Sequence, residues 1–283
     1  ELAGFYITTS IRWNGYLMWM LVAILVAFLP MVLKIMLALP GLEYYQAAQA
    51  FIIPLLIHTL FRPYIDFPNG ILMGCEKVTF YAAIRVFEEI LQVFFVWFFL
   101  YGIELQESTI FGLEGVVFIL AFEHFFPRII KMALCWIYIN KTLLTIHINW
   151  WQTLVGPLIC STVVFGVGQL WRIVAFDPMF STLGPIPTAV VTVLFGLTVI
   201  PFLVYLPLTG ILGVWDDFGL KIFEKSVDLA GPSRGIVNLF YQSTMLGVKY
   251  SKLHNKFEIP WEKASQQIEE LMVTKTETER LIS

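Results

Sequence analysis

The chain has 283 residues, of which 58% are hydrophobic and 14% are charged, and its formal net charge is −3. Soluble domains carry about 25% charged residues, and each charge at bilayer depth costs several kcal/mol, so this composition excludes an ordinary soluble enzyme and indicates an integral membrane protein. Nine of the 18 Lys and Arg residues follow Val214, but acids are interleaved with them, so no nucleic-acid partner is expected.

Six apolar runs are long enough to cross a membrane, since a helix needs about 20 mainly apolar residues to span a hydrocarbon core of about 30 Å. In chain order they are Trp13 to Leu39, Tyr44 to Phe67, Thr79 to Tyr101, Phe111 to Tyr138, Ile148 to Arg172 and Thr188 to Val214. The runs are continuous rather than alternating, which favours helices over a β-barrel. The sequence therefore predicts an all-α integral membrane protein with a six-helix transmembrane bundle over residues 1–214.

Residues 215–283 form a second predicted region, which is richer in charge. Two short amphipathic helices, on the membrane surface or against the bundle, are predicted from apolar residues at helical spacing: Phe218, Ile222 and Phe223, then Ile236, Leu239 and Phe240. A third helix is expected from Trp261, Ala264, Ile268, Leu271 and Met272. We expect this region to be cytoplasmic or interfacial.

Basic residues predict the orientation of the spans, because Lys and Arg are retained on the cytoplasmic side. Before the tail, six of them lie at one set of span ends and two at the other: Arg12, Arg62, Lys77, Arg128, Lys131 and Lys141 against Lys34 and Arg172. The connection between the third and fourth spans carries three acids and no base. We expect a multi-pass protein of the cell membrane with both termini in the cytoplasm.

Enzymatic and metal-site patterns are not evident. The cysteines, Cys75, Cys135 and Cys160, lie far apart with no CxxC spacing, so neither a disulfide framework nor a thiolate metal site is predicted. The sequence has no HxxxH or HExxH spacing and no Gly-rich phosphate loop. We therefore expect no catalytic residue, no metal and no cofactor, and the polar start of the chain lacks the basic residues of a cleavable signal peptide.

Charged residues near the middle of the third span are the first candidate site. Arg85 lies three residues before Glu88 and four before Glu89, so on a helix it can reach either carboxylate. At about 1.5 Å per residue, Glu89 lies roughly 15 Å from the start of the span, near the midplane. The pattern fits a structural ion pair between helices, or a site where the second acid meets another cation, a proton or a substrate.

The fourth span supplies the second candidate site. Glu123 and His124 lie roughly 18 to 20 Å from its start, again near the middle. His124, Arg128 and Lys131 form a basic face such as an anionic headgroup requires, although snorkelling to the interface is the simpler explanation for Lys131. His58 has a depth similar to that of His124, so a haem held between two helices is a further alternative.

Two segments resemble the carboxy-terminal half of polysaccharide-exporting flippases, which share a superfamily with multidrug and toxic-compound extruders. They are AFIIPLLIHTLFRPYIDFPNGILMGCEKVTFYAAIRVFEEILQVFFVWFFLYG and GLEGVVFILAFEHFFPRIIKMALCWIYI. In that family a proline-containing helix leads into a short turn that Gly70, Gly74 and Lys77 match, and a later helix begins with glycines that Gly112 and Gly115 match. The opening ELAGFY resembles the start of the family's second bundle, and the resemblance covers about residues 1–253.

This resemblance implies one lobe of a MATE-like transporter, whose second six-helix lobe lies upstream of Glu1 or in a partner membrane subunit. Such proteins flip lipid-linked oligosaccharide or polysaccharide precursors by alternating access, and cavity cations bind the carrier phosphate. Arg85 and Arg128 are then the expected headgroup-binding residues. The expected coupling-ion or cavity residues are Glu88, Glu89, Glu123 and His124. Membrane lipids and a lipid-linked saccharide are the expected partners, and the alternatives are a non-transporting anchor or scaffold subunit, a divergent homologue with another role, or a haem-binding redox subunit.

Overall fold

A computed structural model describes residues 2–41, 49–102, 109–110, 113–114, 119, 122–144, 146 and 148–257. The α-helices are α1 (Leu2–Leu37), α2 (Gln49–Gly74), α3 (Val78–Trp97), α4 (Phe125–Thr142), α5 (Gly156–Trp171), α6 (Asp177–Leu183), α7 (Pro185–Leu194), α8 (Leu206–Ile211), α9 (Asp217–Leu229) and α10 (Arg234–Val248). Two two-residue strands, β1 (Thr109–Ile110) and β2 (Leu113–Glu114), pair in antiparallel fashion. Apart from this short pair, the regular structure of the described residues is helical, which confirms the all-α class.

Segments of π-helix extend several of these α-helices. They are Phe98–Gly102 after α3, Trp151–Val155 before α5, Arg172–Phe176 between α5 and α6, and Phe195–Tyr205 between α7 and α8. The last of them contains Pro201, whose missing N–H disturbs a regular α-helix. Gly184 lies between α6 and α7 and has a φ of +81°, in the left-handed region that favours glycine. Pro185 then begins α7.

Three helices in the described part of the chain are long and apolar enough to cross a membrane: Leu2–Leu37, Trp151–Leu183 and Pro185–Ile211. They contain 36, 33 and 27 residues, more than the roughly 20 that a span requires. They correspond to the first, fifth and sixth predicted spans. The chain thus has the helices of a membrane protein, whereas the count of six spans stays a prediction.

The fourth predicted span, Phe111 to Tyr138, differs from the structure. Its first part includes Leu113–Glu114, which pairs as a strand, and its helix is Phe125–Thr142. A continuous apolar run does not distinguish a helix from a short apolar connection, which explains the error. Neither α3 nor α4 is among the three apolar helices. Each carries three charged side chains, which are Arg85, Glu88 and Glu89 in α3 and Arg128, Lys131 and Lys141 in α4.

Contacts divide the chain into two compact units. Unit 1 contains Glu1–Tyr16, Leu144–Cys160 and Pro201–Ser283, and unit 2 contains Leu17–Leu143 and Ser161–Ile200. This division follows contacts between residues and does not separate membrane from aqueous parts. The expected boundary between residues 214 and 215 therefore stays a prediction.

In unit 1, the two short helices predicted after Val214 are confirmed as α9 and α10. α10 packs against α8 with close backbones, since a Cβ on Gly247 would collide with the carbonyl of Pro207. The buried side of α10 consists of Ser243, Thr244 and Gly247. Phe240 of the predicted apolar face packs against Phe202 and the cluster around Trp215, whereas Ile236 and Leu239 are exposed. Contact of these exposed side chains with a membrane surface stays a prediction.

Some expectations lie outside the described residues. The third tail helix, expected around Trp261, falls within residues 258–283, and Gly112 and Gly115 fall between the described segments near the short strand pair. The matching glycines of the earlier turn, Gly70 and Gly74, lie in the last turns of α2.

In unit 2, α1 contacts residues of the later helices. A Cβ on Gly168 would meet the side chain of Ala27, so these two helix backbones approach closely. Lys34 near the end of α1 bonds Asp177 at 2.7 Å and lies 4.9 Å from the ring centre of Phe180. These contacts satisfy the charge at the end of a long apolar helix.

Candidate functional site

α3 and α4 lie antiparallel, and this packing builds the candidate site. Phe80 stacks on Tyr138 with ring centres 3.8 Å apart near one end, and Phe95 packs on Phe126 near the other. Pro127 in the first turn of α4 costs little, because an N–H there has no partner within the helix. Residues in the middle of α3 consequently face the first half of α4.

Glu88 is the centre of the site and is 3% exposed. Its Oε2 accepts hydrogen bonds from Arg85 Nη1 at 2.6 Å and from Lys131 Nζ at 2.9 Å. Its Oε1 lies 3.5 Å from Arg128 Nε. A buried carboxylate requires such partners, because the loss of hydration is otherwise uncompensated.

Arg85 also contacts the second acid of its helix. Its Nη2 lies 3.2 Å from Glu89 Oε1, and both side chains are about half exposed. The predicted pairing of Arg85 with Glu88 or Glu89 is confirmed, since Arg85 bridges both. We refer to Arg85, Glu88, Glu89, Arg128 and Lys131 as the Glu88 cluster.

Arg128 is held from the other side by His58 of α2. The distance between Arg128 Nη1 and His58 Nε2 is 2.5 Å. Arginine has only donors, so His58 Nε2 must accept, which requires a neutral imidazole with its proton on Nδ1. An iron bound at this nitrogen would displace Arg128, so the geometry lends no support to the haem alternative.

Among the residues that the structure describes, the charges of the Glu88 cluster do not balance. Its contacts join three cations to two carboxylates. The side chain of Arg128 is 30% exposed, whereas that of Lys131 is only 3% exposed. Lys131 is therefore buried in its ion pair with Glu88. Arg128 is the more accessible of the two cations that α4 contributes to the cluster.

Two sequence-based expectations about α4 need correction. Lys131 does not snorkel to an interface, because it is buried against Glu88, 43 residues away along the chain. Glu123 and His124 are not in the middle of a helix, since His124 is the N-cap residue of α4. Their described ion-pair contact is with each other, at 3.4 Å, so the structure does not bring them into the Glu88 cluster.

A second buried cluster, which sequence reasoning missed, lies in unit 1. Arg12 Nη1 donates to Asp216 Oδ2 at 2.7 Å and to Gln152 Oε1 at 3.0 Å. All three side chains belong to residues that are no more than 2% exposed. Asp216 Oδ1 also caps α9 by accepting from the N–H of Gly219 at 2.7 Å. An Asp directly before an amphipathic helix is a capping signal that could have identified one member of this Arg12 cluster (Arg12, Gln152 and Asp216).

A third polar group joins the start of α9 to the segment after α10. His254 Nε2 lies 2.8 Å from Asp217 Oδ1, and Asn255 Nδ2 donates to Asp217 Oδ2 at 2.6 Å. The hydrogen bonds from His254 and Asn255 hold the pKa of Asp217 below its ordinary value. Asp217 remains largely exposed, so this contact stabilises a local connection rather than a buried site.

Metal ligation has no structural basis in the described part of the chain, where no group of three or more His, Cys, Asp and Glu side chains could hold an ion. Comparison with known proteins finds no matching family model, curated protein or solved structure. The resemblance to polysaccharide flippases is therefore taken up below as a proposal.

Proposed function

We propose that the chain is one lobe of a membrane transporter that flips lipid-linked oligosaccharide or polysaccharide precursors by alternating access. The family comes from the sequence resemblance, and the site comes from the Glu88 cluster. A second six-helix lobe, upstream in the chain or in a partner subunit, completes the cavity in this proposal. The chain acts as a transporter and not as an enzyme.

The observation that carries the proposal is the surplus of cationic side chains in the Glu88 cluster. Three cations contact two carboxylates. Arg128 is partly exposed, and its Nε comes no closer than 3.5 Å to the carboxylate of Glu88. A phosphate that enters a cavity of low dielectric constant requires a counter-charge. The planar guanidinium of Arg128 suits a phosphate better than an ammonium does, because it can donate two parallel hydrogen bonds.

The residues have distinct roles in this proposal. Arg128 and Arg85 bind the phosphates of the lipid carrier. Glu88 accepts from buried Lys131 and from Arg85, so it positions the two arginines rather than binding a coupling cation. Glu89, Glu123 and His124 are more exposed and remain the candidates for a coupling proton or sodium ion.

The proposal includes six spans, with both termini in the cytoplasm of a multi-pass cell-membrane protein. α3 and α4 are the difficult spans because of their charges. The pairing of Glu88 with Lys131 and Arg85 lowers the cost of placing these helices in a bilayer, since the charges meet each other instead of lipid.

Cysteine labelling tests the orientation. In a cysteine-free background, Ser181→Cys is expected to react with an impermeant reagent added outside the cell, because it lies on the acid-rich, base-poor side. Lys141→Cys is expected to react only after permeabilisation. The reverse pattern would refute the proposed orientation.

Surface display of the glycan tests the transport function in cells that lack any other flippase. Arg128→Ala is expected to abolish display at unchanged membrane expression, and Arg128→Lys to restore part of it, because Lys keeps the charge without the bidentate geometry. Arg62→Ala is the matched control, since Arg62 forms an exposed ion pair with Asp66 on α2. Undiminished display in the Arg85→Ala, Arg128→Ala double variant would refute the transporter proposal.

The alternative is a non-transporting anchor or scaffold subunit, and one observation favours it. The ion pairs of Glu88 join α3 to α4, so the cluster also has a structural use without any ligand. Under this alternative the double variant loses stability but not glycan display. The chain would then also co-purify from native membranes in a fixed ratio with its partner subunits.

A further inference from the structure

An apolar groove of about 520 Å³ lies between α3 and α4. Its walls include Phe80, Ala83, Phe87, Leu134 and Ile137, and Lys141 lies among its lining residues. None of these residues belongs to the Glu88 cluster. We call this feature the α3–α4 groove.

The walls of the α3–α4 groove expose large apolar side chains in one continuous strip. Phe87 is 40% exposed, Leu134 is 38% exposed and Ile137 is 53% exposed. Ligand pockets of about 300–1,000 Å³ commonly have such apolar linings with a few polar groups at fixed places. The volume of the groove lies within this range.

The polar end of the groove is positively charged. Lys141 is exposed in the last turn of α4, and in the described part of the chain no carboxylate contacts it. Phe80 and Tyr138 stack at this end of the groove, and Lys141 is the charged residue among its lining. An apolar groove with a lysine at one end is complementary to a molecule with an apolar chain and an anionic head.

We propose that the α3–α4 groove binds an anionic phospholipid, with one acyl chain along the apolar walls and the phosphate at Lys141. A helix from another chain would fill the apolar walls but would also need an acidic residue opposite Lys141. One phospholipid molecule supplies both the apolar chain and the negative charge. This site is separate from Arg128 and holds whether or not the chain transports a saccharide.

Native mass spectrometry of the purified full chain tests the proposal, with phosphatidylglycerol and phosphatidylcholine as probes. The wild type is expected to retain phosphatidylglycerol in preference to phosphatidylcholine. Lys141→Gln is expected to lower this preference about fivefold, the loss expected for one Lys near an anionic lipid surface. The substitution changes an exposed side chain, so folding is not at risk.

Ala83→Trp tests the apolar part of the groove by filling it, and it is expected to remove bound phosphatidylglycerol. Ala82→Trp is the matched control, since Ala82 is also exposed on α3 but does not line the groove. Equal retention of phosphatidylglycerol in the Ala83→Trp and Ala82→Trp variants would overturn the proposal. A lipid-free wild-type dimer that Ala83→Trp converts to a monomer would also overturn it, because the groove would then hold a second copy of the chain.

Discussion

The two buried arginine–carboxylate clusters of this protein use the same chemistry with different balances. The Arg12 cluster pairs one guanidinium with one carboxylate and one amide, and its residues are at most 2% exposed. The Glu88 cluster joins three cations to two carboxylates, and both of its arginines reach the surface of the described structure. Burial of an arginine therefore does not by itself indicate a binding site, and the accessible, surplus guanidinium of the Glu88 cluster is the feature on which the proposed phosphate site rests.

The two clusters are also expected to differ in how substitutions change the free energy of unfolding. A buried ion pair contributes little net stability over an apolar replacement, but removal of one partner leaves an uncompensated charge. The Arg12 cluster is closed, which here means that its residues are buried and inaccessible to a ligand. Every substitution in it is therefore expected to act on folding. Arg128 is partly exposed, and its removal leaves Glu88 paired with Arg85 and Lys131 and leaves only the neutral His58 without its partner, so its substitution is expected to act on ligand binding more than on folding.

The largest expected effect comes from Arg12→Met, which leaves Asp216 buried without its counter-charge. We expect a loss of about 3–5 kcal/mol in the free energy of unfolding, the usual cost of such a change. Denaturant titration of the purified protein in detergent measures it. The Arg12→Met, Asp216→Asn double variant is expected to regain part of the loss, because the amide still caps α9 and carries no charge. A loss below about 1 kcal/mol, as for an exposed pair, would show that the Arg12 cluster is not closed.

Glu88→Ala is the corresponding test in the other cluster. It leaves Lys131 buried without a carboxylate, so we expect a loss of about 3 kcal/mol in the free energy of unfolding. Glu89→Ala on the next residue is the control, and an exposed ion pair of this kind contributes about 0–1 kcal/mol. Equal losses in the two variants would mean that Glu88 does not hold α3 to α4.

A third test asks whether close backbone contact, rather than charge, stabilises unit 1. Gly247→Ala is expected to cost about 1–3 kcal/mol, because the new Cβ collides with the carbonyl of Pro207. Gly235→Ala on the same helix meets nothing within 4 Å and is expected to be neutral or slightly stabilising. The same titration compares them, and a Gly247→Ala variant as stable as Gly235→Ala would refute close packing of α8 and α10.

The smallest expected effect concerns Asp217, which follows buried Asp216 but is itself largely exposed. Its pKa is lowered in the folded protein by hydrogen bonds from His254 and Asn255. The resulting stability is present above the unfolded pKa of about 3.9 and is lost as the pH falls through the lower folded value. Asp217→Asn is expected to weaken the acid dependence of unfolding in this range. An identical pH profile in the variant would show that the contact contributes nothing.

Contacts within one helix could be predicted from the sequence. Arg85 reaches Glu88 and Glu89 at spacings of three and four residues, so its ion pairs require only that α3 be helical. The contact between Glu88 and Lys131 joins residues 43 apart and depends on the packing of two helices. Arg12 and Asp216 are 204 residues apart, and no local pattern connects them.

The apolar helices also separate what the local sequence predicts from what it does not. Long uninterrupted apolar runs predicted the three helices that are long and apolar enough to cross a membrane, because length and hydropathy are properties of the local sequence. The prediction for the fourth run was wrong at its start, where residues form the β1–β2 pair instead of a helix. The predicted depth of Glu123 and His124 was therefore also wrong, because it was counted from Phe111, whereas α4 begins at Phe125.

Equilibrium binding of a polyprenyl diphosphate to the purified protein tests the central claim most directly, namely that Arg128 is available to a phosphate. We predict that Arg128→Ala weakens binding by about tenfold or more, since a hydrogen bond to a charged group contributes about 1.5–3 kcal/mol. Arg62→Ala, which removes an exposed arginine of α2, is predicted to bind as the wild type does. Equal affinity in all three proteins would contradict the account, because the surplus guanidinium of the Glu88 cluster would then have no phosphate partner.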